Sequence, residues 1–168
     1  MRILIFIVIS FMFALGGYAQ QQLRPGNPAP DFSVETLNGE SLNLSQYRGK
    51  VVLMTFWSTR CAICHSEIPS LNRMASRYKD RDVVFLALTM ENNTRIEPYL
   101  KKNPFHFNIV PNSFGVVLKY ADMDATGRIN MGFPSYFVID KRGNIEHRAD
   151  GWDKIASMEA RISRLLAE

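Results

Sequence analysis

Val51-Val52-Leu53-Met54-Thr55-Phe56-Trp57 runs directly into Ser58-Thr59-Arg60-Cys61-Ala62-Ile63-Cys64-His65. The first part is apolar, β-branched or aromatic throughout and follows Gly49 and Lys50, as expected of a strand covered on both faces. From Ala62 to Tyr78 the apolar residues Ile63, Ile68, Leu71, Met74, Ala75 and Tyr78 recur at helical spacing between charged neighbours, so an amphipathic helix is expected there. Pro69 lies inside it and is expected to kink it, because it removes a backbone donor. Both cysteines of the chain therefore fall where a buried strand gives way to a helix.

That placement has chemical consequences. Unpaired backbone N–H groups and the positive end of the helix dipole favour an anion at a helix start, so the Cys61 thiolate is stabilised and Cys61 is the expected nucleophile. One turn on, Cys64 lies on the same side, placed to attack a mixed disulfide between Cys61 and a substrate and to release the reduced product. A structural brace explains the pair poorly. Closing so small a ring contributes under ~2 kcal/mol by chain entropy, against ~4.7 kcal/mol for a hundred-residue loop. Half a zinc site explains it no better: tetrahedral zinc takes four ligands, and beside the pair stand only His65, His106 and His147. No metal or separate cofactor is expected; the redox group is the Cys61–Cys64 pair itself.

Outward from this junction the chain alternates strands and helices. Towards the N-terminus, Asp31 to Val34 and Ser41 to Leu44 flank Leu37-Asn38-Gly39-Glu40, and the Asn-Gly pair predicts a β-hairpin. Towards the C-terminus, Val83 to Thr89 is a second buried strand, completing a βαβ unit with a right-handed crossover. Helices are expected over Thr94 to Lys102 and Ser113 to Ala121, and a loop over Asp122 to Gly132. Tyr136 to Asp140 reads as a third strand, turned by Lys141-Arg142-Gly143-Asn144 into Ile145 to Arg148. Asp153 is placed to cap a final helix with the apolar face Ile155, Met158, Ile162, Leu165 and Leu166.

At 168 residues the chain suits one well-cored domain, and its balance of 20 basic to 16 acidic residues, spread rather than clustered, carries no nucleic-acid footprint. Residues 1–19 read as a signal peptide: Arg2, an apolar run from Ile3 to Leu15, then Gly17-Tyr18-Ala19, with cleavage expected before Gln20. The run would span only ~20 Å as a helix against a ~30 Å hydrocarbon core, which favours a removed signal over the alternative, an N-terminal membrane anchor. Residues 20–28, polar and holding Pro25, Gly26 and Pro28, are expected to be a flexible lead-in, with the domain occupying 29–168.

The passage from Trp57 through Cys61-Ala62-Ile63-Cys64 to Glu67-Ile68-Pro69 resembles the thioredoxin superfamily, and most of all its exported TlpA/ResA-type disulfide reductases. The likeness spans roughly residues 25 to 166 and includes Ala29-Pro30-Asp31-Phe32, Gly49-Lys50-Val51-Val52, Phe56-Trp57 and Gly132-Phe133-Pro134. It implies an α/β thioredoxin-like fold, a central mixed β-sheet flanked by helices, with an extra N-terminal β-hairpin. It further implies a cis bond before Pro134, with Pro134 facing the cysteines and the backbone of Phe133 pairing with an extended substrate. Trp57 and Phe133 join Pro134 as expected substrate-side residues, Trp57 by shaping the floor. Glu67 matches the acid these reductases carry one turn beyond the second cysteine. A carboxylate partly buried near two thiols can take or return the proton of Cys64. Thr55 stands where thioredoxins bury an aspartate, which leaves that task to Glu67. The chain departs from the pattern at Arg60, at Ala62-Ile63 and at Phe133.

The resemblance implies a thiol-disulfide oxidoreductase that reduces disulfides of exported proteins in the periplasm, apocytochrome c thiols among the candidate products, with electrons from a membrane thiol donor. The same exchange run backward gives a disulfide oxidase or isomerase. A peroxiredoxin-like antioxidant shares the entry hairpin, but its peroxidatic cysteine needs a Pro and a Thr in an order that Trp57-Ser58-Thr59-Arg60 does not supply. A non-catalytic peptide-binding module could use the Pro134 groove without turnover.

Overall fold

The computed structural model describes residues 23–124 and 126–168. The expected signal peptide and the first residues of the lead-in lie outside them. In chain order the elements are β1 (Ser33–Glu35), β2 (Ser41–Asn43), a 3-10 turn (Leu44–Tyr47), β3 (Val51–Phe56), α1 (Ala62–Arg77), β4 (Val83–Leu88), α2 (Asn93–Lys102), β5 (Asn108–Val110), α3 (Phe114–Tyr120), β6 (Asp122–Met123), β7 (Ile129–Asn130), β8 (Ser135–Ile139), β9 (Ile145–Asp150) and α4 (Ile155–Ala167).

Five strands form the central sheet in the order β5-β4-β3-β8-β9. β3, β4 and β5 are parallel, and β8 and β9 complete the sheet antiparallel to their neighbours. This is the mixed sheet expected of a thioredoxin-like α/β domain. The extra hairpin is present as well, with β1 and β2 paired around Asn38-Gly39.

β3 explains why the sheet is covered on both sides. Its side chains alternate, so Val51 and Leu53 meet Ile68, Leu71 and Met74 of α1, Ile96 of α2, and Met158 and Ile162 of α4. Val52, Met54 and Phe56 face the opposite way, against Val116, Val117 and Tyr120 of α3 and Phe32 and Leu42 of the entry hairpin. Every residue of β3 is buried, as its apolar and β-branched composition requires.

The structure departs from expectation in several places. Asp122 to Gly132 is not all loop: β6 and β7 pair antiparallel, with Asp122 opposite Asn130 and Met123 opposite Ile129. Strands this short carry no periodicity that a sequence pattern could reveal. β5 was hidden for the same reason, and Asn108 extends the sheet only because Leu86 lies beside it. Asp153 does not cap α4; its backbone is left-handed at φ 60°, and Lys154 precedes the helix without a side-chain cap. The end of the lead-in pairs with the domain: the Gly26 N–H donates to Ile145 O at 2.8 Å and the Ile145 N–H to Asn27 O at 2.8 Å. Backbone groups of Ile145, at the start of β9, thus find partners in Gly26 and Asn27.

Candidate active site

One row of residues crosses the sheet at a single edge: Val110, Leu88, Phe56, Ser135 and Asp150 are successive partners. Five segments leave the sheet there: the stretch after β5, the loop after β4, Trp57 to Cys61 after β3, Phe133-Pro134 before β8, and Gly151 to Asp153 after β9. Residues far apart in sequence are thereby gathered at one end of the molecule.

Cys61 is the N-cap of α1, in extended conformation, and its Sγ accepts the Cys64 N–H at 3.1 Å. The two sulfurs are joined in a disulfide, with Cα atoms 5.2 Å apart. Cys61 is half-buried while Cys64 is only 3% exposed, so the first sulfur is the accessible one and the second is packed beneath it. An amide at a helix start aimed at Cys61 Sγ stabilises the thiolate when the pair is reduced.

The approach to Cys61 is braced from two sides. Thr59 donates its N–H and its hydroxyl to the Glu91 carboxylate, each at 2.8 Å, and the Thr59 carbonyl lies 2.7 Å from His65 Nε2. His65 is exposed and packs against Tyr99 at 4.8 Å. Arg60 is exposed. Trp57 is only 1% exposed and packs on Tyr99 and Phe105 at 5.6 and 5.5 Å. At that burial it offers a substrate no surface of its own.

Glu67, 4% exposed, projects from the buried face of α1 one turn after Cys64. The Tyr136 hydroxyl donates to its Oε2 and the Asp153 N–H to its Oε1, the latter at 3.1 Å. Burial first, then the hydrogen bond and negative charge of Glu67, push the Tyr136 phenol far above its ordinary range. Tyr136 is therefore a protonated donor throughout the neutral pH range.

The Phe133–Pro134 peptide is cis. Pro134 is buried, its carbonyl accepts the Gly151 N–H at 2.8 Å, and Phe133 is half-buried between the two core clusters. Trp152, 58% exposed, sits between two anchors: Gly151 bound to Pro134 and Asp153 bound to Glu67. Among the described residues no cluster of three or more His, Cys, Asp or Glu side chains could hold a metal ion.

Tyr136, Asp153, Glu91 and Trp152 were not legible as parts of this site. Tyr136 could have been found, since a tyrosine on the strand face that meets α1 must satisfy its hydroxyl. Asp153 was misread because an aspartate just before a helix usually signals a cap.

A mixed sheet with helices on both faces and a C-x-x-C disulfide at a helix start defines a thioredoxin-like thiol-disulfide oxidoreductase. The chain belongs to the AhpC/TSA family, whose model matches residues 25–148. It is 34% identical over 128 residues to the thiol-disulfide oxidoreductase ResA of Geobacillus kaustophilus, covering 75% of this chain and 69% of that protein. It is 30% identical over 124 residues to the thioredoxin-like protein YneN of Bacillus subtilis, covering 74% and 70% respectively. Among solved structures it resembles a thiol:disulfide interchange protein of the thioredoxin family from Chlorobium tepidum, with TM-score 0.72, 25% identity and coverage of 86% and 99%. A thiol:disulfide interchange protein from Bacteroides sp. shares the fold, with TM-score 0.69, 21% identity and coverage of 87% and 92%.

Proposed function

We propose that this oxidoreductase runs in the reducing direction on disulfides of exported proteins, in the periplasm, after removal of residues 1–19. Cys61 attacks the substrate disulfide, Cys64 resolves the mixed disulfide, and Glu67 exchanges a proton with Cys64. The observation that carries this reading is the division of labour at the helix start: an accessible Cys61 sulfur receiving an amide N–H, above a buried Cys64 one turn from a buried carboxylate.

An extended substrate lies against Phe133 and cis-Pro134, with the exposed side chains of Ile63 and Trp152 as further apolar contacts. A membrane thiol protein restores the dithiol, and apocytochrome c thiols are one candidate product. Among the described residues no helix is long and apolar enough to cross a membrane. The N-terminal anchor alternative concerns residues outside that range.

Reduction of insulin disulfides by the wild-type protein and by Cys61→Ser tests the activity; a peptide-binding module would be indifferent to the substitution. Equilibration with glutathione tests the direction. A reduction potential near ~-270 mV supports the reductant, whereas one near ~-120 mV marks an oxidase and overturns this direction.

A further inference from the structure

We propose that Tyr136 is a positioning residue for the exchange reaction: with the Asp153 amide, its hydroxyl holds the Glu67 carboxylate in the orientation and charge state from which it trades a proton with Cys64. This rests on the reading of Glu67 as the proton partner of Cys64.

A buried carboxylate is costly unless donors meet it, and each Glu67 oxygen has one: Tyr136 Oη on Oε2 and the Asp153 nitrogen on Oε1. Tyr136 is itself 1% exposed, so water cannot readily substitute for its hydroxyl. The phenol keeps its proton, because burial and the adjoining carboxylate both oppose its ionisation. Tyr136 therefore orients without titrating.

The fold makes this contact more than local packing. Tyr136 lies two residues after cis-Pro134 on β8, and Asp153 lies two residues after Gly151, whose N–H is bonded to the Pro134 carbonyl. The carboxylate that serves the resolving thiol is thus tied to the strand against which substrate is laid. A shift of that strand reaches Glu67 through a single hydrogen bond.

Other titratable and charged groups stand on the elements around Glu67. Arg73 and Arg77 of α1, Asp153 of the loop after β9 and Glu159 of α4 line one groove with it, Cys64 lies one turn before it on α1, and Thr55 of β3 bonds to Tyr136. Arg77 is paired with Glu159, and Arg73 donates to Ser70 Oγ at 2.6 Å. These charges line a groove open to solvent, where they are screened, whereas the two donors to Glu67 reach it directly.

The step balances as follows. Cys64 S–H passes its proton to the Glu67 carboxylate, and the Cys64 thiolate attacks Cys61 Sγ in the mixed disulfide. The Cys61–substrate S–S bond breaks as the Cys61–Cys64 bond forms. The leaving electron pair resides on the substrate thiolate, which takes up the proton returned by Glu67. Two electrons have then passed from the dithiol to the substrate disulfide.

The test is the pH profile of the resolving step, followed by stopped-flow release of a chromophoric thiol from a mixed disulfide at Cys61, in wild type, Tyr136→Phe, Glu67→Gln and the double variant. Losing one donor to the anion moves the midpoint in Tyr136→Phe upward by about half to one pH unit. The double variant should then behave as Glu67→Gln alone. A uniform slowing in Tyr136→Phe without a moved midpoint indicates packing only and overturns the proposal. So does a shift that survives in the Glu67→Gln background. If Glu67→Gln itself leaves the profile unchanged, the proton role of Glu67 falls and this inference with it; if only Tyr136→Phe is silent, this inference alone falls. Should Tyr136→Phe not fold, NMR titration of the wild-type protein decides. The Tyr136 ring and Asp153 amide signals should share one midpoint that disappears in Glu67→Gln, and the lack of a shared midpoint overturns the proposal.

Discussion

Cys61 Sγ lies 3.1 Å from the Cys64 amide nitrogen, so the first sulfur of the pair is capped by the backbone of the second. The relation makes the two cysteines unequal, although they are only one helical turn apart. Cys61→Ser should abolish insulin-disulfide reduction, because no accessible thiol remains. Cys64→Ser should instead accumulate a mixed disulfide on Cys61, detectable as a mass increase under non-reducing conditions. Equal trapping by both single variants would contradict the assignment of nucleophile and resolving thiol.

Glu67→Gln preserves volume but removes the proton acceptor and turns one of the two acceptor oxygens, met by Tyr136 Oη and the Asp153 N–H, into an NH2 donor. Loss of a general base should slow resolution on the order of a hundredfold at neutral pH, with formation of the mixed disulfide less affected. Stopped-flow kinetics separate the two steps, and equal slowing of both would speak against a proton role centred on Cys64.

Trp152 is held on either side by hydrogen bonds yet is 58% exposed beside the Pro134 loop. Trp152→Ala should raise KM for a protein disulfide several-fold while leaving exchange with a small aromatic disulfide near the wild-type rate. A parallel loss on both substrates would assign the tryptophan to structure and not to substrate contact.

Leu53 is fully buried at the centre of β3, between α1 and α4. Leu53→Ala should cost about 2–5 kcal/mol through lost transfer energy and the cavity left behind. Urea denaturation should show a lower midpoint with an unchanged slope, as a local cavity demands.

His147 on β9 has its imidazole pushed below the ordinary value, by burial first and then by the positive charge of Arg161, partly opposed by Glu146. The unfolded chain therefore takes up this proton at a higher pH than the folded chain does. Stability conferred by neutral His147 is present above the ordinary histidine range and declines as pH falls through ~6.5. His147→Gln should flatten the stability curve between neutrality and pH 5, and an unchanged slope in denaturant titrations at several pH values would refute it.

The amino-acid order by itself determined the strand at Val51, the helix after Cys61, the hairpin around Asn38-Gly39 and the redox pair. Periodicity, turn chemistry and cysteine spacing are local properties, and they survive in a single sequence. The small strands β5, β6 and β7 were not legible, since two or three residues pair only when a neighbouring strand supplies the register. Burial of Glu67 and its meeting with Tyr136 and Asp153 belong to the tertiary structure alone, for those residues are 69 and 86 positions distant from it along the chain. Nothing short of packing α1 against β8 and the loop before α4 brings them together. Local chemistry thus named the sulfur atoms, whereas long-range packing supplied the donors that surround the carboxylate next to them.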